Sequence, residues 1–235
     1  MPDVTYQAAP EREMRAYTAT PRGNGPWPGV VVVMDALGLS DDIRLAADRL
    51  ASAGFLAFAP DLYSGRGIRC VVATLSASRS GRGEAYEDID AARGWLTAHE
   101  ECTGKIGIIG FCMGGGFALL SAPRYAFSVA SVNYGEVPAD AVRRLAGACP
   151  IVASYGARDR GLRGRAQRLD EALRALEIEH DVKEYPDAGH SFMNRINVGP
   201  GLGQLVRFVG MNYRHESAED SWRRILDFFD VHLRA

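Results

Sequence analysis

Short apolar runs alternate with amphipathic segments along most of this chain, and the periods predict strands and helices in turn. Gly29–Met34 is a β-branched run after Pro28, the pattern of a strand buried on both faces. Ser40 then precedes Asp41 and Asp42, Ile43, Ala47 and Leu50 follow at helical spacing, and Gly54 closes the segment. A hydroxyl at the cap, acids in the first turn and a terminal glycine are coherent helix signals. The unit recurs. Phe55–Ala59 predicts a strand, Glu84–His99 a helix with Tyr86, Ile89, Ala92 and Leu96 on one face, and Lys105–Ile109 a strand. Cys112–Ala122 reads as helical and Phe127–Val132 as a strand. Pro150–Tyr155 is a strand, Arg163–Leu176 a helix facing inward through Leu169, Leu173 and Leu176, and Asp181–Tyr185 a strand. Ser217 opens the last helix with Asp220 in a capping-box position, and Trp222, Ile225, Leu226, Phe229 and Leu233 form its apolar stripe. Strict alternation implies right-handed crossovers, hence an α/β fold with a mostly parallel sheet and helices on both faces. One domain spanning residues 1–235 accounts for all of it.

Two stretches break the alternation. Ser64–Gly83 and Arg195–Glu216 are long and glycine-bearing, and are expected as loops at the carboxyl edge of the sheet, where open α/β sheets place their ligands.

Composition narrows the function classes. In 235 residues there are 27 Lys and Arg against 29 Asp and Glu, so no basic excess points to nucleic acid or to an anionic membrane surface. No apolar run is long enough to cross a bilayer, and Met1–Pro10 lacks the features of a signal peptide, so a cytoplasmic location is the default expectation. The four cysteines, Cys70, Cys102, Cys112 and Cys149, are scattered singly; this spacing suits neither zinc nor a disulfide framework. Neither a metal nor an organic cofactor is expected. Nothing in the sequence speaks to oligomeric state.

The chemistry concentrates at Gly110-Phe111-Cys112-Met113-Gly114, between a strand and a helix. This is the nucleophile-elbow pattern G-x-S-x-G with cysteine at its centre. The sharp turn presents the central side chain above a helix N-terminus, whose field favours the nucleophilic thiolate. An elbow needs a base and an orienting acid downstream. Of the five histidines, His190 in Asp187-Ala188-Gly189-His190-Ser191-Phe192 is the one on a loop at a strand's carboxyl end after the nucleophile. Asp159, four residues beyond Tyr155, is the preferred acid over Asp170, Asp181 and Asp187. The oxyanion donors are then the N–H of Met113 and one from the loop Asp35-Ala36-Leu37-Gly38.

GFCMGG at the elbow, DALG after the first buried strand, PDLY at 60–63, G-x-x-D at 156–159 and GHSF at 189–192 resemble the dienelactone hydrolases, or carboxymethylenebutenolidases, over residues 28–233. The resemblance implies an α/β-hydrolase fold, a Cys112, His190 and Asp159 triad, and oxyanion donors at Ala36 and Met113. It also implies a role for Asp35, where the family has a glutamate that holds the neutral thiol and takes up its proton. Asp35 is one methylene shorter. The family's substrate-carboxylate arginine falls at Asn194, with Arg195 one step on; Arg195 and, from the first long loop, Arg69 are the candidate substrate-binding cations. The chain is thus expected to hydrolyse a small-molecule ester or lactone through an acyl-enzyme. A non-hydrolytic binding or interaction protein on the same fold is the alternative, against which the complete set of catalytic residues argues.

Overall fold

The computed structural model describes residues 3–64, 67–195 and 213–234. They form an eight-stranded sheet in the order β1-β2-β4-β3-β5-β6-β7-β8. The strands are β1 (Asp3–Ala9), β2 (Arg12–Ala19), β3 (Trp27–Val33), β4 (Leu56–Pro60), β5 (Cys102–Phe111), β6 (Val129–Asn133), β7 (Ile151–Gly156) and β8 (His180–Tyr185). From β4 to β8 every pairing is parallel, while β1 and β2 add an antiparallel hairpin at one edge. The helices are α1 (Asp41–Ser52), α2 (Gly67–Ser80), α3 (Glu84–Ala98), α4 (Met113–Ser121), the short α5 (Ala141–Arg144), α6 (Arg165–Ala175) and α7 (His215–Arg234). The expected fold class holds.

Burial explains why the central strands read so clearly. Val30, Val31, Val32 and Val33 are wholly inaccessible, as are Ile108, Ile109 and Val132, so both faces of the sheet are covered. One helical layer is joined by Arg49 of α1, which grips Glu219 of α7 at 2.6 and 2.9 Å and lies over Trp222. Another is joined by Tyr86 of α3, packed edge-on against Phe117 of α4.

Three local readings need correction. The stretch Ser64–Gly83 is largely the helix α2 rather than a loop. Its inward face carries Thr74, Ala77 and Ser78, small or polar residues that hide the apolar stripe, whereas Val72 and Leu75 are exposed. The hairpin β1–β2 is an addition to the expected elements. Its alternation at Met14 and Ala16 is real, but charged neighbours mask it. The capping box at the last helix does not form: α7 begins at His215, Ser217 Oγ donates to Asp187 at 2.8 Å, and Asp220 accepts from Lys183 at 2.6 Å and Tyr185 at 2.8 Å. Both side chains serve tertiary contacts to the end of β8 instead. Ser40 does stand at the N-cap of α1, without a capping hydrogen bond from its side chain, and Gly54 follows the helix at φ +88°. The second long stretch, Arg195–Glu216, lies mostly outside the described residues.

Candidate active site

Three connections at the carboxyl ends of β5, β7 and β8 converge. Cys112 joins β5 to α4 at φ +55° and ψ −114°, a left-handed conformation that an L-residue holds only when its surroundings impose it. The flanking glycines show what imposes it. A Cβ on Gly110 would lie 1.9 Å from the Gly114 carbonyl oxygen, and one on Gly114 would lie 2.3 Å from the Val33 oxygen. Both obstacles are backbone, so no side chain can move aside. Asn133 O accepts from the Cys112 N–H at 3.0 Å, and Asn133 Nδ2 donates to Gly110 O at 3.2 Å, tying the turn to β6.

The acid and base loops are stitched together by their backbones. Ala157 N donates to Tyr185 O and Arg158 N to Ala188 O, each at 2.9 Å. This places Asp159 Oδ2 2.5 Å from His190 Nδ1, and His190 Nε2 3.1 Å from Cys112 Sγ. Asp159 Oδ1 accepts from the N–H groups of Gly161 and Leu162 at 3.0 and 3.3 Å, so both of its oxygens are engaged.

The electrostatics follow from this geometry. Burial opposes a charge on His190, yet the hydrogen bonds to Asp159 and Cys112 outweigh it and push the imidazole up to about 10. Burial likewise opposes ionisation of Asp159, but the His190 bond and charge and the two amides hold it below the usual carboxylate range. By contrast, burial pushes Cys102 up and Cys149 up to about 12.

Met113 is the first residue of α4 and Ala36 lies in the turn after β3; among the described residues neither N–H has a protein acceptor. Asp35 does not reach the thiol by a hydrogen bond. Its Oδ1 accepts from Leu37 N at 2.8 Å and its Oδ2 from Asn194 Nδ2 at 3.2 Å. Burial raises the Asp35 carboxyl; the Leu37 amide works against that rise.

The Arg195 guanidinium lies over Tyr213 at 4.7 Å, while its backbone N–H donates to Asp42. Arg69 is exposed on α2. Three residues at the site escaped sequence reasoning. Asn194, read there as the vacant position of a cation, is buried and bonded to both Asp35 and Tyr134. Tyr134, at φ +42°, sets its ring edge-on to His190 at 5.4 Å, and no motif signals it. Tyr63 donates to Ala36 O at 3.1 Å; it ends the PDLY motif that served above only as a family mark. Among the described residues no group of three or more His, Cys, Asp or Glu side chains could hold a metal ion, and no helix is long and apolar enough to cross a membrane.

Comparison with known proteins agrees with this architecture. The model of the dienelactone hydrolase family matches residues 14–233. A Yersinia pestis protein named "Putative carboxymethylenebutenolidase" is 32% identical over 241 residues, covering 94% of this chain and 84% of its own. The crystal structure "Putative Dienelactone Hydrolase" from Klebsiella pneumoniae superposes with a TM-score of 0.81 at 26% identity, covering 97% of each chain. An acylaminoacyl peptidase from Pyrococcus horikoshii shares the fold alone, with a TM-score of 0.70 at 14% identity over 98% of this chain and 41% of its own. With its parallel sheet, its elbow and its match over nearly the whole length, the chain belongs to the dienelactone hydrolase family, α/β-hydrolases that cleave carboxylic esters and lactones.

Proposed function

We propose that this enzyme hydrolyses its ester or lactone through a covalent thioester on Cys112, with His190 as the proton carrier and Asp159 as its orienting partner. The observation that carries the reading is the continuous line from Asp159 through His190 to Cys112 Sγ at the strained elbow.

His190 Nε2 lies 3.1 Å from Sγ and takes the sulfur's proton as attack begins. Sγ adds to the carbonyl carbon, and the C=O electron pair moves onto oxygen. The N–H groups of Ala36 and Met113 receive that oxyanion. Collapse breaks the bond to the leaving oxygen, which takes the proton from His190 Nε2. Water then attacks the thioester and gives its proton to Nε2; the C–S bond breaks, the acid departs, and Sγ recovers its hydrogen bond with Nε2. Asp159 keeps Nδ1 protonated and Nε2 aimed at sulfur throughout. Neither metal nor organic cofactor enters any step. The substrate is a small ester or lactone, and the Arg195 guanidinium, held over Tyr213, is given no part in the chemical steps.

Steady-state kinetics on a chromogenic aryl ester test the reading. Cys112→Ala and His190→Ala are each expected to lower kcat by several orders of magnitude, and the double variant little further, because members of a triad act as a unit. Losses that multiply, or full activity in Cys112→Ala, would overturn it.

A further inference from the structure

Asp35 is a nearly inaccessible carboxylate, 4% exposed, and among the described residues no ion pair reaches it. A buried carboxyl is costly unless hydrogen bonds compensate it, and one persists where something uses it. Its partners show what does. Tyr134, 1% exposed, donates its hydroxyl to Asn194 Oδ1 at 2.5 Å, and Asn194, 6% exposed, donates Nδ2 to Asp35 Oδ2 at 3.2 Å. Asp35 Oδ1 accepts from the Leu37 N–H at 2.8 Å. That N–H and the Ala36 carbonyl belong to one peptide, whose oxygen accepts from Tyr63 at 3.1 Å. The peptide after Ala36 is therefore pinned at both ends, which fixes how Ala36 is turned and where its own N–H points.

We infer that Asp35 and Asn194 are positioning residues: through the buried chain Tyr134–Asn194–Asp35–Leu37 they hold the oxyanion loop in register with the base loop that carries His190. The inference rests on the cysteine-hydrolase reading. Asn194 sits four residues after His190, and its own N–H donates to Ser191 O at 3.0 Å, so the chain joins the base loop to the oxyanion loop. Tyr134 presents its hydroxyl from the end of β6 at a left-handed φ of +42°, with its ring against His190 and Phe192. Asp35 thus acts as an acceptor for two N–H groups. It takes no proton from the thiol.

That distinction makes Asp35→Asn informative. The amide oxygen at position 35 keeps the Leu37 bond, and a flipped Asn194 accepts from the new NH2 while donating to the Tyr134 oxygen. Every bond of the chain survives, the two at Asn194 with their polarity reversed, whereas a proton-accepting carboxylate is lost.

Kinetics of Asp35→Asn, Asp35→Ala, Asn194→Leu and Tyr134→Phe on a chromogenic acetate ester, with Cys112→Ala alongside, decide the matter. Asp35→Asn is expected to keep kcat within about threefold of wild type and to keep the shape of its pH profile. Asp35→Ala and Asn194→Leu should lower kcat by about 10- to 100-fold, less than outright loss of an oxyanion donor, with KM changed by less than about threefold. Alkylation of Cys112 by iodoacetamide should keep its wild-type rate in all four, showing that the Cys112–His190 pair is intact. If Asn194→Leu fails to fold, Tyr134→Phe, which removes one terminal hydroxyl, is expected to lower kcat about three- to tenfold at unchanged KM. A loss in Asp35→Asn equal to that in Asp35→Ala would overturn the inference, as would wild-type kcat in Asp35→Ala or Tyr134→Phe. An active Cys112→Ala would instead remove the hydrolase reading beneath it.

Discussion

Replacing Asp159 by asparagine keeps an acceptor for His190 Nδ1 and removes the charge. In the native site burial works against the imidazolium, but bonds to Asp159 and Cys112 carry His190 from 6.5 up to about 10. The bond to Asp159 is the largest source of that rise, and a hydrogen bond to a charged group of this kind is worth about 2–3 kcal/mol. A raised histidine contributes stability that is fully present below pH 6.5 and is lost as the pH rises through about 10. Asp159 itself is held low, so its contribution is present above 3.8 and is lost as the pH falls through its lower folded value. Thermal unfolding of wild type and Asp159→Asn by circular dichroism is therefore expected to show a Tm gap of roughly 4–12 °C at pH 6.5, at about 2–4 °C per kcal/mol for a chain of this size. The gap should close as the pH approaches 10 and narrow again in strong acid. In parallel, kcat/KM should fall by roughly 10²- to 10⁴-fold at pH 7 as the imidazole loses its orientation. An equal Tm gap at pH 6.5 and pH 10 would refute the assignment of His190's charge to Asp159.

Other perturbations separate scaffold from chemistry. Gly110→Ala drives a Cβ into the Gly114 carbonyl, 1.9 Å away, and is expected to cost at least ~3 kcal/mol and to lower Tm by about 6–12 °C in a melt. Phe229→Ala, which empties a fully buried position of α7 facing Phe55, should cost about 3–5 kcal/mol in urea unfolding and leave KM unchanged. Arg195→Ala should alter kcat/KM equally, by less than about twofold, for one carboxylate-bearing and one neutral ester, since its guanidinium lies on Tyr213; a selective loss with the anionic ester of the size of a charged hydrogen bond, about 1.5–3 kcal/mol, would restore it as a substrate contact. Brief alkylation at pH 7.5 followed by peptide mass analysis should modify Cys112 and spare Cys102 and Cys149, whose thiols burial pushes up.

The parallel core was legible because strands covered on both faces become unbroken apolar runs, as at Val30–Val33, and because glycines at backbone contacts leave a fixed spacing, as at Gly110 and Gly114. The nearness of Cys112, His190 and Asp159 was legible for a related reason: each follows a readable strand, and such ends gather along one edge of a parallel sheet. What stayed hidden lacked a period or a motif. Helix α2 buries Thr74 and Ser78 where an apolar stripe would be sought, and strand β2 carries Glu13 and Arg15 beside Met14 and Ala16. The Tyr134–Asn194–Asp35 chain joins residues up to 159 positions apart through side-chain bonds, and no local pattern encodes such a partnership. The side chain of Asn194 faces inward to that chain, which the spacing from His190 alone could not reveal.

A covalent thioester on Cys112 is open to rapid-quench intact-mass analysis during turnover of an acetate ester. A transient gain of one acetyl mass is expected in the first turnover, mapped by peptide analysis to Cys112, decaying with the steady-state rate and absent in Cys112→Ala. Full hydrolysis with no adduct on any cysteine, or an adduct on another residue, would contradict it.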